Sequence, residues 1–403
     1  LVKPLFQELE IPEEWEFTKL QSIVDILDSQ RIPIKESERA KRSGKFPYYG
    51  ASGIIDYIDD YIFDEKLLCL AEDGENLVSR VLPIAFTLED KTWVNNHAHV
   101  LRVKDSTDHD FIEFTLNHML LLKYVAFTAQ PKLNQKDMSS ILIILPKKPE
   151  QEKISSILSS VDELISSIEN SIDYTKKLKK GLMQTLFTKG IGHKKFQKVT
   201  GLFRKEMKIP VGWEIKNFNE IFEFLVTGTN PRKDLGKEGD IHYIHYGDIH
   251  TQWNRFILDC ESEEIPLIVK TKVKQIPLLK EGDLIIADAS EDYEGSGASI
   301  LLKNVKDKKI VAGLHTFGLR IDDEIMPIDF RTYITSNRFV KRQIISFVTG
   351  VSVYGLSKNN LKKIKICLPK IKEQEKIGSI LSKIDKKIID LETKETNLKS
   401  QIG

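Results

Sequence analysis

The chain has 403 residues, 41% of them hydrophobic and 30% charged, which excludes a wholly disordered, collagen-like or mucin-like polymer and suits two or three domains. Sixty Lys and Arg against fifty-nine Asp and Glu leave a net charge of +1, so a polyanion would be met by local patches and not by a global field. Cys69, Cys260 and Cys367 lie far apart with no CxxC pair, which argues against a disulfide framework or thiolate zinc site and fits a reducing, cytoplasmic location.

Residues 1–17 carry Glu8, Glu10, Glu13, Glu14 and Glu16 and lack the basic start and apolar run of a secretory signal, so no export is expected. Apolar runs such as residues 141–145 fall far short of the roughly 20 residues that span a bilayer, so no membrane partner is expected either. Short β-rich runs follow at 67–71, 81–88 and 141–145, with a helical stretch at 111–126 between them. Strands with a few helices predict an α+β (mixed α/β) domain over residues 1–149.

Across 150–188 the apolar spacing changes to three and four, through Ile154, Ile157, Val161, Leu164 and Ile168, close to a seven-residue seam that Leu158, Ile165 and Ile172 widen. The spacing predicts a helix that at 1.5 Å per residue reaches about 58 Å. A basic linker, 189–208, comes next. Between Lys176 and Lys208 there are eleven Lys and Arg, Lys194, Lys195, Arg204 and Lys205 among them, against the single acid Glu206. That segment reads as a candidate for phosphate contacts, or equally as a solvated linker loosened by Gly190, Gly192 and Gly201.

Then the pattern begins again. IPEEWE at 11–16 returns as IPVGWE at 209–214, and LPKKPEQEKISSILSSVDELI at 145–165 returns as LPKIKEQEKIGSILSKIDKKI at 368–388, with 14 of 21 positions identical. Between these anchors HAHVLRVKD at 97–105 echoes in HTFGLRIDD at 315–323. A duplicated unit follows: a second domain at 209–372, with strands expected at 240–246, 284–287, 310–312 and 364–368, and a second long helix at 373–403 with Ile377, Ile380, Ile384 and Leu391 on its apolar face. Two long apolar faces in one chain predict an antiparallel intramolecular coiled coil with a domain at each end, related by a pseudo-twofold axis.

Catalytic motifs are missing. There is no GxxxxGK[ST] phosphate loop, no GxSxG elbow, no HExxH, and Asn230-Pro231 runs into Arg232 where an amino-methyltransferase loop would place Pro and an aromatic residue. HYIHYGDIH at 242–250 is the densest histidine cluster, but without cysteines or an acid at helical spacing it reads as polar packing, not a metal site. What remains suits binding of a polyanion. Side chains able to read base edges or stack on bases collect on predicted loops: Tyr48, Tyr49, Ser52, Asn95, Asn96, Gln130, Lys132 and Asn134 in the first unit. The second unit offers His245, Tyr246, His250, Arg255, Ser290, Tyr293, Tyr354, Ser357, Lys358 and Asn359.

On IPEEWE and IPVGWE, FTAQPKLNQKDMSSILIILP at 127–146, the doubled EQEKI and KKGLMQTLFTKG at 179–190, the chain resembles the DNA-specificity (S) subunits of type I restriction-modification systems over nearly its whole length. The resemblance implies two target recognition domains, each reading one half of a bipartite asymmetric site in double-stranded DNA, spaced by the helix pair. It also implies a non-catalytic chain that binds no cofactor and recruits two methyltransferase subunits, which use S-adenosylmethionine, and restriction (translocase/nuclease) subunits, which use ATP and Mg²⁺. The recognition subunit of a combined cleavage and methylation system, or a coiled-coil scaffold that ignores DNA, are the alternatives. One departure stands out: TGVSVYGLSKNN at 349–360 does not repeat the Pro-Lys-Leu turn of TAQPKLNQKD.

Overall fold

The computed structural model describes residues 11–127, 130–200, 206–253, 256–273 and 275–402. The chain forms two compact units that divide after Ser166, inside the first long helix.

In the first unit Leu67–Ala71 is the central strand of an antiparallel sheet, flanked by Ala98–Val103 and Ala85–Leu88, with Val24–Ile26 on the outer edge. Every residue of LLCLA is buried because the strand has a core on each face. Leu68 and Leu70 face one cluster with Leu101, Ile112 and Met138, while Leu67 and Cys69 face another with Phe63 and Val100. The second unit repeats the device in Leu284–Ala287, where Leu284 and Ile286 join one core and Ile285 and Ala287 the other. That strand lies at the centre of a five-stranded sheet beside Thr316–Arg320 and Ser299–Lys303.

Each domain is closed by a two-stranded stem. Glu16–Lys19 pairs antiparallel with Leu142–Leu145, and Glu214–Asn217 with Lys365–Leu368. The next residue in each copy adds an equivalent bond, Leu20 N to Ile141 O at 2.8 Å and Phe218 N to Ile364 O at 2.9 Å. The motifs that repeat in sequence are thus the ones that meet where the chain enters and leaves a domain.

Two local expectations change. The helix expected at 111–126 is His109–His118: Asp108 caps it by accepting from Phe111 N at 2.8 Å. Near its end Asn117 turns to the strand start, accepting from Ile84 N and Ala85 N at 2.9 Å, and Arg80 takes up the Leu116 and Met119 carbonyls. The strand expected over 81–88 begins only at Ala85, past Pro83, and Val81 and Leu82 are exposed.

The first long helix is Lys148–Lys189 and the second Ile371–Ile402. Within the second unit they run antiparallel: Glu169 pairs with Lys399 at 2.8 Å, Lys176 with Glu392 at 2.7 Å, and Lys179 with Asp385. Ile168, Ile172 and Leu391 are buried together, with Leu398 against them. The expected seam is longer than that. Ile154 packs on the first domain's core instead, and Ile157 and Leu164 are exposed. Ile377 is buried in the second domain's core with Ile380 packed against it, while Val161 and Ile384 are half-buried. The apolar stripe serves two purposes: near each domain it docks the helix, and only the middle stretch is free to pair.

The repeated Gln of EQEKI ties each helix to its domain, with one difference. Gln151 donates to Pro146 O at 2.7 Å and accepts from Asp108 N at 2.9 Å. Gln374 donates to Pro369 O at 2.9 Å, but the helix cap corresponding to Asp108 is Pro327, which has no N–H, and Gln374 Oε1 is buried with no partner among the described residues. Gln151→Leu should therefore cost about 2–3 kcal/mol in urea unfolding and Gln374→Leu under about 1 kcal/mol; equal losses would contradict this account.

Candidate nucleic-acid interface

An acidic residue directly after each central strand ties three loops together through its main chain. Glu72 N donates to His97 O at 2.9 Å and Glu72 O accepts from Leu133 N at 2.7 Å. In the second domain Asp288 N donates to His315 O at 3.0 Å and Asp288 O accepts from Leu356 N at 2.7 Å. The hairpins that follow match as well, with Asp73 bridging Lys132 and Ala289 pairing with Gly355. So Tyr354-Gly355-Leu356 occupies the backbone place of Pro131-Lys132-Leu133, although only the leucine is shared. Each hairpin then runs into a short helix capped alike, Asn134 accepting from Asp137 N at 3.0 Å and Ser357 from Asn360 N at 3.2 Å.

This frame gathers most of the predicted first-domain residues. Asn95 N donates to Tyr49 O at 3.0 Å, which sets the turn with exposed Ser52 beside exposed Asn96. Gln130 is exposed on the hairpin, and Lys132 Nζ lies 3.2 Å from Glu72. Three assignments need correction. Tyr48 is 1% exposed, accepts from Ile34 N at 2.9 Å and lies under the Arg39 guanidinium, so it is core. Asn95 is buried and commits its Oδ1 to His97 N at 2.8 Å, and the Asn134 side chain is spent on its cap. Tyr49 stacks on Phe86, ring centres 5.6 Å apart.

Beneath these loops is a charged network that sequence reasoning missed. Asp28 lies 2.6 Å from His99 Nδ1 and accepts from Val100 N at 2.9 Å. Arg31 donates to Glu72 Oε2 at 2.7 Å and Ala98 O at 2.6 Å, and His99 Nε2 lies 2.7 Å from Leu133 O. Above it, His97 pairs with Asp73 at 2.8 Å. The ligand atoms of Asp28, Glu72 and His99 come within 4.8 Å of one another, a spacing a metal ion could use, but the Arg31 guanidinium already supplies the positive charge there. Burial by itself would raise the Asp28 carboxyl, yet the bonds and charges of His99, Val100 and Arg31 hold it below its ordinary 3.8. Glu72 is likewise held below 4.5, burial being outweighed by Arg31, His99 and Lys132. The pair of histidines in HAHVLRVKD was the available signal, and only their distant partners gave it meaning.

In the second domain Ser290 pairs with Tyr354, whose ring lies 4.1 Å from that of Tyr293. Tyr246 packs between His245 and His315 at 4.7 and 5.2 Å, and His250 Nε2 lies 2.9 Å from Ala289 O. Tyr246, His250 and Ser290 line a cleft of about 530 Å³ together with Glu291, Asp292 and Lys341. The two reading ends therefore carry different exposed side chains around a shared histidine position: Asn96 and Lys132 beside His97 in the first, and Glu291, Asp292, Tyr293 and Lys358 beside His315 in the second. His245 and Ser290 need correction, since both are buried and used locally, accepting from Gly247 N at 3.1 Å and Asp292 N at 3.3 Å. Burial pushes the His245 imidazole down. Ser357 is spent on its cap, Lys358 Nζ lies 5.7 Å over the Phe224 ring, Asn359 is exposed, and Arg255 lies outside the described residues. The histidines of HYIHYGDIH do not converge, since His242 turns to Ile265 O at 3.1 Å.

The basic segment is less positive than its count suggests. Lys176, Lys177, Lys179 and Lys198 are paired with Glu392, Asp173, Asp385 and Glu206. Lys194 and Lys195 are exposed and without an ion pair among the described residues, and Arg204 and Lys205 lie outside them.

Comparison with known proteins matches the model of the type I restriction modification DNA specificity domain to residues 12–174 and 210–399, once for each copy. The chain belongs to that family. As a specificity subunit it is non-catalytic, in agreement with the missing motifs. It is 24% identical to the type I restriction enzyme MjaVIII specificity subunit of Methanocaldococcus jannaschii, over 96% of this chain and 89% of that one. To a putative type I restriction enzyme specificity subunit of Haemophilus influenzae it is 26% identical, over 92% and 88%. Among solved structures, the type I restriction-modification S subunit from M. genitalium shares the fold with a TM-score of 0.59 at 15% identity, over 97% of this chain and 95% of that one. No helix among the described residues is long and apolar enough to cross a membrane.

The Asp28 network yields a test of what supports the reading loops. Asp28→Ala should destabilise the chain by about 3 kcal/mol in urea unfolding at pH 7, because it strands His99 and the Val100 N–H. Both carboxyls are depressed on folding, so their contribution is complete above 3.8 and 4.5 and fades as pH falls through the lower folded values. The wild-type chain should lose that stability on acidification, and Asp28→Ala should lose less; parallel acid limbs would contradict the assignment.

Proposed function

We propose that this specificity subunit reads a bipartite, asymmetric site in double-stranded DNA, with residues 11–147 reading one half and residues 206–370 the other. The observation that carries the reading is the pair of reading ends, alike in backbone and unlike in side chain. Glu72 and Asp288 hold equivalent loops, yet one end presents Asn96 and Lys132 and the other Glu291, Asp292 and Tyr293. Lysine, asparagine and glutamine suit guanine and adenine edges, whereas carboxylates suit the cytosine amino group, so unlike ends read unlike half-sites. Exposed Lys194 and Lys195 suit phosphate contacts that orient the chain without specifying sequence. The antiparallel helices act as the spacer between half-sites.

Chemistry is left to other polypeptides in this proposal. Two methyltransferase subunits bind S-adenosylmethionine, restriction subunits use ATP and Mg²⁺, and the assembly works in the cytoplasm.

The test is to remove one seven-residue repeat from each of the facing stretches of the two helices and to map methylated positions after co-expression with the partner methyltransferase. Seven residues are about 10 Å of helix, close to three base-pair steps. The spacer should shorten by about three base pairs with both half-sites unchanged; altered half-sites with an unchanged gap would overturn the reading.

A further inference from the structure

Two helices with the same repeated apolar pattern can pair in more than one register. The middle stretch holds Ile168 and Ile172 against Leu391 and Leu398, an apolar contact with little directionality, while further along the first long helix Leu186 and Phe187 are buried in the second domain's core beside Ile377 and Leu381. The exposed ion pairs Lys176–Glu392 and Glu169–Lys399 have both partners about half exposed, and pairs of that kind are worth too little to choose.

One group in the helix pair is of another kind. Lys179 of the first long helix is buried, 8% exposed, and donates to the Asp385 carboxylate of the second. The Tyr333 hydroxyl of the second domain donates to the other oxygen of Asp385 at 2.5 Å, and Tyr333 is fully buried. The Lys179 ammonium is closed in by the Phe256 and Tyr333 rings, 4.2 and 5.0 Å away. Burial lowers the Lys179 ammonium's pKa and Asp385 opposes that, so a displaced helix would leave an unpaired charge among aromatic rings. Among the described residues the first copy of the unit does not repeat the arrangement. The repeat copy of Asp385 is Asp162, which is exposed, and the residue equivalent to Tyr333 in the first domain is Phe114, which has no hydroxyl.

We infer that Lys179, Asp385 and Tyr333 form a one-sided register lock, which adds a directional polar constraint to the apolar docking of Leu186 and Phe187 and so selects a single axial alignment of the two helices and thereby a single spacer length in the DNA site. These are positioning residues, and the link to the spacer rests on the proposed bipartite reading. A slip of one turn moves the first long helix by about 5.4 Å, more than the 3.4 Å rise of a base pair, so each register would select a different gap.

The test pairs two measurements on the full chain. Spin labels at Ser171→Cys and Lys394→Cys, exposed positions on the facing helices, report register directly, and Cys69, Cys260 and Cys367 are buried out of reach of the reagent. The distance distribution should be single and narrow in the parent chain and should gain at least one further peak in Lys179→Met/Asp385→Leu, which replaces the pair with apolar groups of similar size. In cells with the partner methyltransferase, the double variant should methylate sites with a second spacer length at least tenfold more than the parent does, with unchanged half-sites. Lys176→Met, at an exposed pair, should alter neither measurement. A single narrow distance in the double variant, or an equal effect of Lys176→Met, overturns the lock. If the double variant does not fold, Tyr333→Phe gives the same comparison: a broadened distribution supports the lock and an unchanged one overturns it. A parent chain that directs no bipartite methylation defeats the proposed function, while the spin-label result still decides the lock.

Discussion

Each domain depends on one constraint: the chain must leave it beside the point where it entered. The stems, Glu16–Lys19 with Leu142–Leu145 and Glu214–Asn217 with Lys365–Leu368, meet that constraint with four residues a side. A domain closed in this way becomes an insert that hangs from a helix, and the loops remote from the stem and from the helix-docking face can change without disturbing the helix that follows. The second copy is longer by 25 residues between its landmarks and carries a five-stranded sheet, yet its stem repeats the register of the first.

The same economy governs the reading ends. Hydrogen bonds from the main chain of Glu72 and Asp288 specify where the loops go, and main-chain bonds do not depend on which side chains the loops carry. Lys132 and Gly355 stand at one backbone position with different chemistry. Where a side chain has been drafted into support, as with Asn95 or Ser290, it is lost to recognition.

How much of this was legible in the sequence follows from the range of the forces. Stems and helix starts lie in the strongest repeats, because the same packing acts on both copies, and the double-faced strands at 67–71 and 284–287 show as unbroken apolar runs. The end of the helix at His118 was not legible, since Asn117 answers to Ile84 and Ala85 more than thirty residues earlier. The equivalence of Pro131-Lys132-Leu133 and Tyr354-Gly355-Leu356 was hidden for a related reason: it is written in backbone bonds. Tyr48 reads as a loop aromatic because what buries it is distant in sequence: Ile58 and Trp93 beside its ring, and the Ile34 N–H on its hydroxyl.

The stems also bear on how the chain folds as it is made. Glu16 waits for Leu145 and Glu214 for Leu368, so each domain is sealed only by its last strand, and such high contact order slows folding. Vectorial synthesis offsets this, because the first domain is complete before the second begins. The first long helix has no such relief. Ile168 and Ile172 emerge some two hundred residues before Leu391 and Leu398, and until then their apolar stripe is open to any neighbouring nascent chain.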